Sequence, residues 1–271
     1  SEGTYSNCTI TVTDSIGNAS SALSVNTFVV DTTAPSLSQV TAVTSPKNDT
    51  TPGYAFSSNE AGTISYSGSC SSGVTSASSG TNSISFNTLS EGSYSNCTIT
   101  VTDSAENASS PLSVSAFEID ITAPTVSSVS SSNTDGYFGI GDNVTITVTA
   151  NENLYVDNSS GNPRIQLETG TNDQYANYVG GSSTSTLSFL YTVQSGDNSS
   201  DLDYKATDSL SANSGTIRDN ATNDATLTLS SPGASGSIGA NKDIVIDGIV
   251  PTVSSISPTD NQSSVSITDN I

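Results

Sequence analysis

SEGSYSNCTITVTDSAENASSPLSVSAFEIDITAP, Ser90 to Pro124, closely repeats SEGTYSNCTITVTDSIGNASSALSVNTFVVDTTAP, Ser1 to Pro35, with 26 of 35 positions identical. The offset is 90 − 1 = 89 residues. A period of this length is too long for solenoid repeats and fits one small β-sandwich per repeat. A complete unit then spans 34–120, and 1–33 supplies only the C-terminal part of another. Inside the unit, apolar residues alternate with Ser and Thr: Ile64 with Tyr66, Ile84 with Phe86, and Ile99 with Val101. This period of two marks half-buried strands.

From Thr125 the sequence changes type and keeps the same alternation. Val144, Ile146 and Val148 share one parity, as do Ile165 and Leu167, and again Leu187, Phe189, Tyr191 and Val193. We expect a larger sandwich over 121–247 and the start of a further module over 248–271. No amphipathic helical stretch breaks the pattern. The expected class is all-β, as tandem sandwich modules in an elongated row with partial modules at both ends.

Composition narrows the chemistry. The 271 residues carry 26 acids and 5 bases, a net charge of −21, which disfavours nucleic acid and anionic membrane surfaces. There is no His, Trp or Met, so the commonest general base and the commonest nitrogen ligand are absent. Oxygen ligands remain, and they suit calcium. The five bases, Lys47, Arg164, Lys205, Arg218 and Lys242, form no serine–lysine pattern, and Lys47, Lys205 and Lys242 sit in polar, solvated surroundings. Small sandwiches also fill their interiors, leaving no deep cleft for two-carboxylate catalysis. No enzymatic activity is expected. The aromatic residues Tyr137, Phe138, Tyr175 and Tyr178 lie in loop-like stretches and are expected to plug the ends of the sandwich.

Cys97 has the parity of Ile99 and Val101, and Cys70 that of Ile64 and Tyr66. A Cys70–Cys97 disulfide follows, in competition with buried reduced thiols, which pack as small hydrophobes. Cys8 is the repeat equivalent of Cys97, so its partner would lie at 70 − 89 = −19, ahead of Ser1. A disulfide favours an oxidising, extracellular setting.

Several stretches resemble known modules. FSSNEAGTISYSGSC (Phe56–Cys70), LSEGSYSNCTITVTD (Leu89–Asp103) and the closing D-x-T-A-P are similar to bacterial Ig-like domain repeats of large surface proteins and adhesins. GIGDNVTITVTANENL (Gly139–Leu154), SDLDYKATDSL (Ser200–Leu210) and SGSIGANKDIVID (Ser235–Asp247) resemble a second Ig-like type, and ISPTDN (Ile256–Asn261) the opening of a third. The resemblance implies Ig-like sandwiches on a bacterial cell surface, acting as a structural spacer or stalk whose partners are its neighbouring modules. It also implies that Cys70 and Cys97 lie on neighbouring strands of one sheet. Ligand-binding modules for a host or surface glycan or protein, and accessory modules of a secreted enzyme, are the alternatives.

Three junctions share D-x-x-x-P: Asp31 to Pro35, Asp120 to Pro124 and Asp247 to Pro251. In an Ig-like sandwich the linker and two loops of the next module meet at one pole. The resemblance thus gathers Asp31, Glu60, Asp103 and Asn107 at one junction, and Asp120, Glu152, Asp219 and Asn223 at the next. Converging carboxylates repel unless a cation lies between them, and calcium is the expected ion. The competing expectation is that these Asp and Asn residues only shape tight turns.

Overall fold

The computed structural model of the chain describes residues 1–253, so most of the module expected at 248–271 lies outside the described residues. The fold is all-β, built from several sheets. Among the described residues no helix is long and apolar enough to cross a membrane. Two compact units are present. One comprises Ser1–Thr122 with Asn220–Asn223, the other Ala123–Asp219 and the described residues from Asp224 onward.

In the first unit, Leu37–Thr41, Gly53–Ser58 and Gly80–Ser85 form one antiparallel sheet. A second sheet runs in the order Leu112–Ser113, Thr98–Thr102, Gly62–Ser67 and Ser76–Ala77. Both contribute inward side chains to one core: Tyr54, Phe56 and Ile84 from the first, Ile64, Ala77, Ile99 and Val101 from the second. The alternation read along each strand is therefore the alternation of core and surface, as in a β-sandwich. Tyr54, Phe86, Phe117 and Tyr94 stack in succession through this core, with centroids 5.9, 6.0 and 5.2 Å apart.

Cys70 and Cys97 are joined, with Cα atoms 5.3 Å apart, just beyond the paired strands Gly62–Ser67 and Thr98–Thr102. The bridge ties neighbouring strands of one sheet, as expected. Gly68 makes the approach possible: its φ is +79°, and a Cβ there would stand 2.0 Å from the Asn96 carbonyl oxygen. Any side chain would both strain the backbone and collide with it.

The first repeat copy pairs its strands as the second does. Gly3–Tyr5 faces Phe28–Val30 in the register that Gly92–Tyr94 keeps with Phe117–Ile119. Likewise Thr9 and Ile10 face Ser24 and Leu23, as Thr98 and Ile99 face Ser113 and Leu112.

In the second unit a large sheet runs in the order Val126–Ser131, Asn143–Asp157, Thr184–Thr192, Gln174–Gly180, Arg164–Glu168 and Asp203–Tyr204. The long strand Asn143–Asp157 shifts register between Thr149 and Leu154, after which its far end pairs with Thr216–Arg218. A smaller sheet places Ile244–Asp247 parallel to Gly136–Gly139 and antiparallel to Asn198–Ser199. Val144, Ile146, Val148, Ile165, Leu167, Leu187, Phe189, Tyr191 and Val193 all line the core, matching the parity of their strands. The only α-helical turn among the described residues, Ile238–Asn241, is capped by the Ser237 hydroxyl, which accepts from the Ala240 N–H.

The aromatic expectation needs correcting. Tyr137 and Phe138 lie on the strand Gly136–Gly139, and Tyr175 and Tyr178 on Gln174–Gly180. Strand alternation splits each pair. Phe138 and Tyr178 pack on the core, whereas Tyr137 and Tyr175 face solvent. Tyr175 is covered on one ring face by the Arg164 guanidinium, 4.1 Å from the centroid.

Candidate metal centre

Each D-x-x-x-P junction begins with the same local turn. The carboxylate Oδ1 of Asp31 accepts from the Thr33 N–H at 3.0 Å, that of Asp120 from Thr122 at 3.1 Å, and that of Asp247 from Ile249 at 3.1 Å. A short acidic side chain bonding two residues ahead mimics a backbone turn. In the first two junctions a glutamate secures the other side. Glu2 accepts from the Thr33 hydroxyl at 2.8 Å, and Glu91 from the Thr122 hydroxyl at 2.7 Å.

Glu60 lies in the turn between Gly53–Ser58 and Gly62–Ser67. The Ser58 hydroxyl donates to the Glu60 carbonyl at 2.6 Å, and the Asn59 amide donates to its carboxylate at 3.1 Å. Asn59 also fastens this turn to the residue after the junction proline, because its side-chain oxygen accepts from the Ser36 N–H at 2.7 Å.

Asp103 opens the turn after Thr98–Thr102. Its Oδ1 accepts from the N–H groups of Ala105 and Asn107 at 2.8 and 2.9 Å, and its Oδ2 from the Asn107 amide at 2.9 Å. The Asn107 side-chain bond, helped by the two N–H groups, holds the Asp103 carboxyl below the usual carboxylate range despite the opposing effect of desolvation. The carboxylate is therefore ionised at neutral pH.

These three elements bring the carboxylates of Asp31, Glu60 and Asp103 together, with one oxygen of each within 4.8 Å of the others and all three half-buried. Ion pairs of the described residues lie elsewhere, at Lys47–Asp49, Lys205–Asp173, Arg218–Asp224 and Lys242–Asp135. Three acids without a basic partner form a donor set of hard oxygens, which fits calcium better than a softer metal.

Asn107 ties the turn to the junction. Its amide donates both to Asp103 and, at 3.2 Å, to the main-chain carbonyl of Asp31. It clamps the turn to the junction through its N–H groups. In the first copy Asp14 and Asn18 make the same bonds, at 3.0, 2.9 and 3.0 Å. The Asp-x-x-x-Asn motif is thus a turn that both copies form in the same way.

The acids expected at the next junction are divided between the units. Asp120 belongs to the first and is half-buried; Glu152, half-buried, and Asp219, buried, belong to the second. The Asn223 amide donates to the Asp120 carbonyl at 2.9 Å, as Asn107 does to that of Asp31.

Asp197, which sequence reasoning passed over, is buried in the second unit. It accepts from the Tyr191 hydroxyl at 2.6 Å, the Gln194 N–H at 2.8 Å and the Gln174 amide at 3.0 Å. With these donors it is a structural brace. Its only sequence signal was an acid in the turn after an alternating strand.

No protein-family model matches the chain, and no curated protein matches it either.

Proposed function

We propose that this chain is a structural spacer from the extracellular face of a bacterium, built of tandem Ig-like sandwich modules whose junctions calcium stiffens. The carrying observation is the convergence of Asp31, Glu60 and Asp103 from a strand end and two separate turns. Asp31 and Glu60 are the firmer ligands, with Asp103 completing the set. Bound there, calcium supplies charge neutralisation and a rigid link between the two turns and the junction. The Cys70–Cys97 bridge supports an oxidising compartment.

Small-angle scattering of the chain in calcium and in chelator tests this reading. A particle that is extended in calcium and gains bending freedom in chelator supports it. An envelope unchanged by chelator and flexible throughout contradicts it.

A second reading, recognition of a glycan or protein by the larger module, draws on one observation. Tyr175 presents an exposed ring, steadied from behind by Arg164, in a shallow groove with Gln174, Asn177 and Val179. Sugar rings stack on such faces. A glycan array probed with the chain and with Tyr175→Ala decides it, and equal or absent signals remove the reading.

A further inference from the structure

The two repeat copies carry the same apolar side chains in different surroundings. In the second copy Ile99, Val101 and Phe117 are 1%, 0% and 3% exposed, sharing one core with Tyr54, Phe56, Ile84 and Phe86 from Leu37–Leu89. Their equivalents Ile10, Val12 and Phe28 are 54%, 69% and 44% exposed, and Leu23 is 69% exposed. The strand registers are the same, so the same face is presented and left uncovered. A contiguous apolar patch on a protein surface marks a site of association.

The differences between the copies show what the face is suited to. Of the nine, eight fall where the second copy is exposed, such as Ile16 against Ala105 and Val29 against Glu118; the ninth exchanges Val30 for buried Ile119. Every other apolar position buried in the second copy is identical in the first. Cys8, Ile10, Val12, Val25 and Phe28 match Cys97, Ile99, Val101, Val114 and Phe117. The copies thus diverge where water is tolerated and agree where a partner segment packs, the pattern of a covered face.

We propose that this face of residues 1–33 docks a polypeptide segment of the Leu37–Leu89 kind, bearing a cysteine at the place of Cys70 to which Cys8 is disulfide-bonded. The second copy shows the fit, since Leu37–Leu89 covers the identical side chains there. The occupant is a separate segment. In a second copy of this chain, Leu37–Leu89 already packs on its own Ile99 and Phe117 and is tied through Cys70–Cys97. Asn7 is placed to accept a main-chain N–H from the incoming segment, as Asn96 does from Ser69 at 3.1 Å. To form the bridge, two thiols each lose a proton and an S–S bond forms. The two electrons pass to a disulfide oxidant, whose own S–S bond breaks to give two thiols. The inference rests on the modular reading above and is independent of calcium.

The test extends the chain with a second copy of Ser36–Leu89 joined to Ser1 as Leu89 is joined to Ser90, oxidised with glutathione disulfide and mapped without reduction. The expected result is a crosslink from Cys8 to the added cysteine, loss of Cys8 alkylation, and retention of Cys70–Cys97. In the extended chain, Ile10→Asp should abolish the crosslink, while Val29→Glu should preserve it. Cys8 that stays open to alkylation while Cys70–Cys97 is intact, or an added cysteine found on Cys97, overturns the proposal. The spacer reading depends on scattering with and without chelator, which the crosslink does not affect, so the two can fail separately.

Discussion

The side-chain amide of Asn107 donates to the main-chain carbonyl of Asp31 at 3.2 Å, bonding a turn of the second repeat copy to the junction that ends the first. The same amide braces Asp103, so one side chain sets both the turn and its docking. Asn107→Ala removes both bonds and should cost about 1–2 kcal/mol in the first unit. A chemical denaturation midpoint equal to that of the parent chain contradicts this role.

Acid should loosen the same turn. The Asp103 carboxyl is held below the usual range in the folded chain, so its stabilising effect is complete above the unfolded value of about 3.9. The effect is lost as pH falls through the lowered folded value. Asp14 is lowered too, chiefly by the Asn18 N–H, and should follow the same course. Amide-exchange protection at Asn107 and Asn18 reports this, and protection undiminished at pH 2 rules it out.

Opening the disulfide should weaken only one unit. Cys70 and Cys97 close a loop with a sequence separation of 27, which in the chain-entropy picture is worth about 3–4 kcal/mol. Paired Cys70→Ser and Cys97→Ser substitutions should shift the unfolding of the first unit and leave that of the second in place. Calorimetry resolves the two transitions, and an unmoved first transition is the contrary result.

The larger unit should fail in alkali. Burial, reinforced by Asp197, raises the Tyr191 hydroxyl above its ordinary range, and burial with the Asp203 charge pushes Tyr204 up to about 12. Both favour folding below the unfolded tyrosine value of about 10, and that advantage is lost as pH rises through the raised folded values. Tyr191→Phe should cost about 1.5–3 kcal/mol at neutral pH, because it removes a hydrogen bond to a buried carboxylate. A neutral-pH melt matching the parent excludes the brace.

Period-two alternation carried much of the fold. The parity of Ile99 and Val101 placed Cys97 inward, and that of Ile64 placed Cys70 within reach of it. The convergence of Asp31, Glu60 and Asp103 was also legible, though only through the resemblance to Ig-like sandwiches, which implies that the linker and two loops of the next module meet at one pole. Other features depend on packing between distant strands and leave no local trace. The bend that lets Asn143–Asp157 pair at both ends, the Arg164 guanidinium over Tyr175 and the Asp197 brace are of this kind. Tyr137 and Tyr175 lie in polar stretches that look like loops in sequence, while strand alternation decides which ring is exposed.

Titration calorimetry with calcium, on the parent chain and on Glu60→Gln, tests the central claim most directly. The account predicts saturable calcium binding that magnesium does not match, weakened at least about tenfold by Glu60→Gln, since one of three carboxylate ligands then loses its charge. No binding heat in the parent chain, or equal affinity in the two proteins, would contradict a calcium-stiffened junction at Asp31, Glu60 and Asp103.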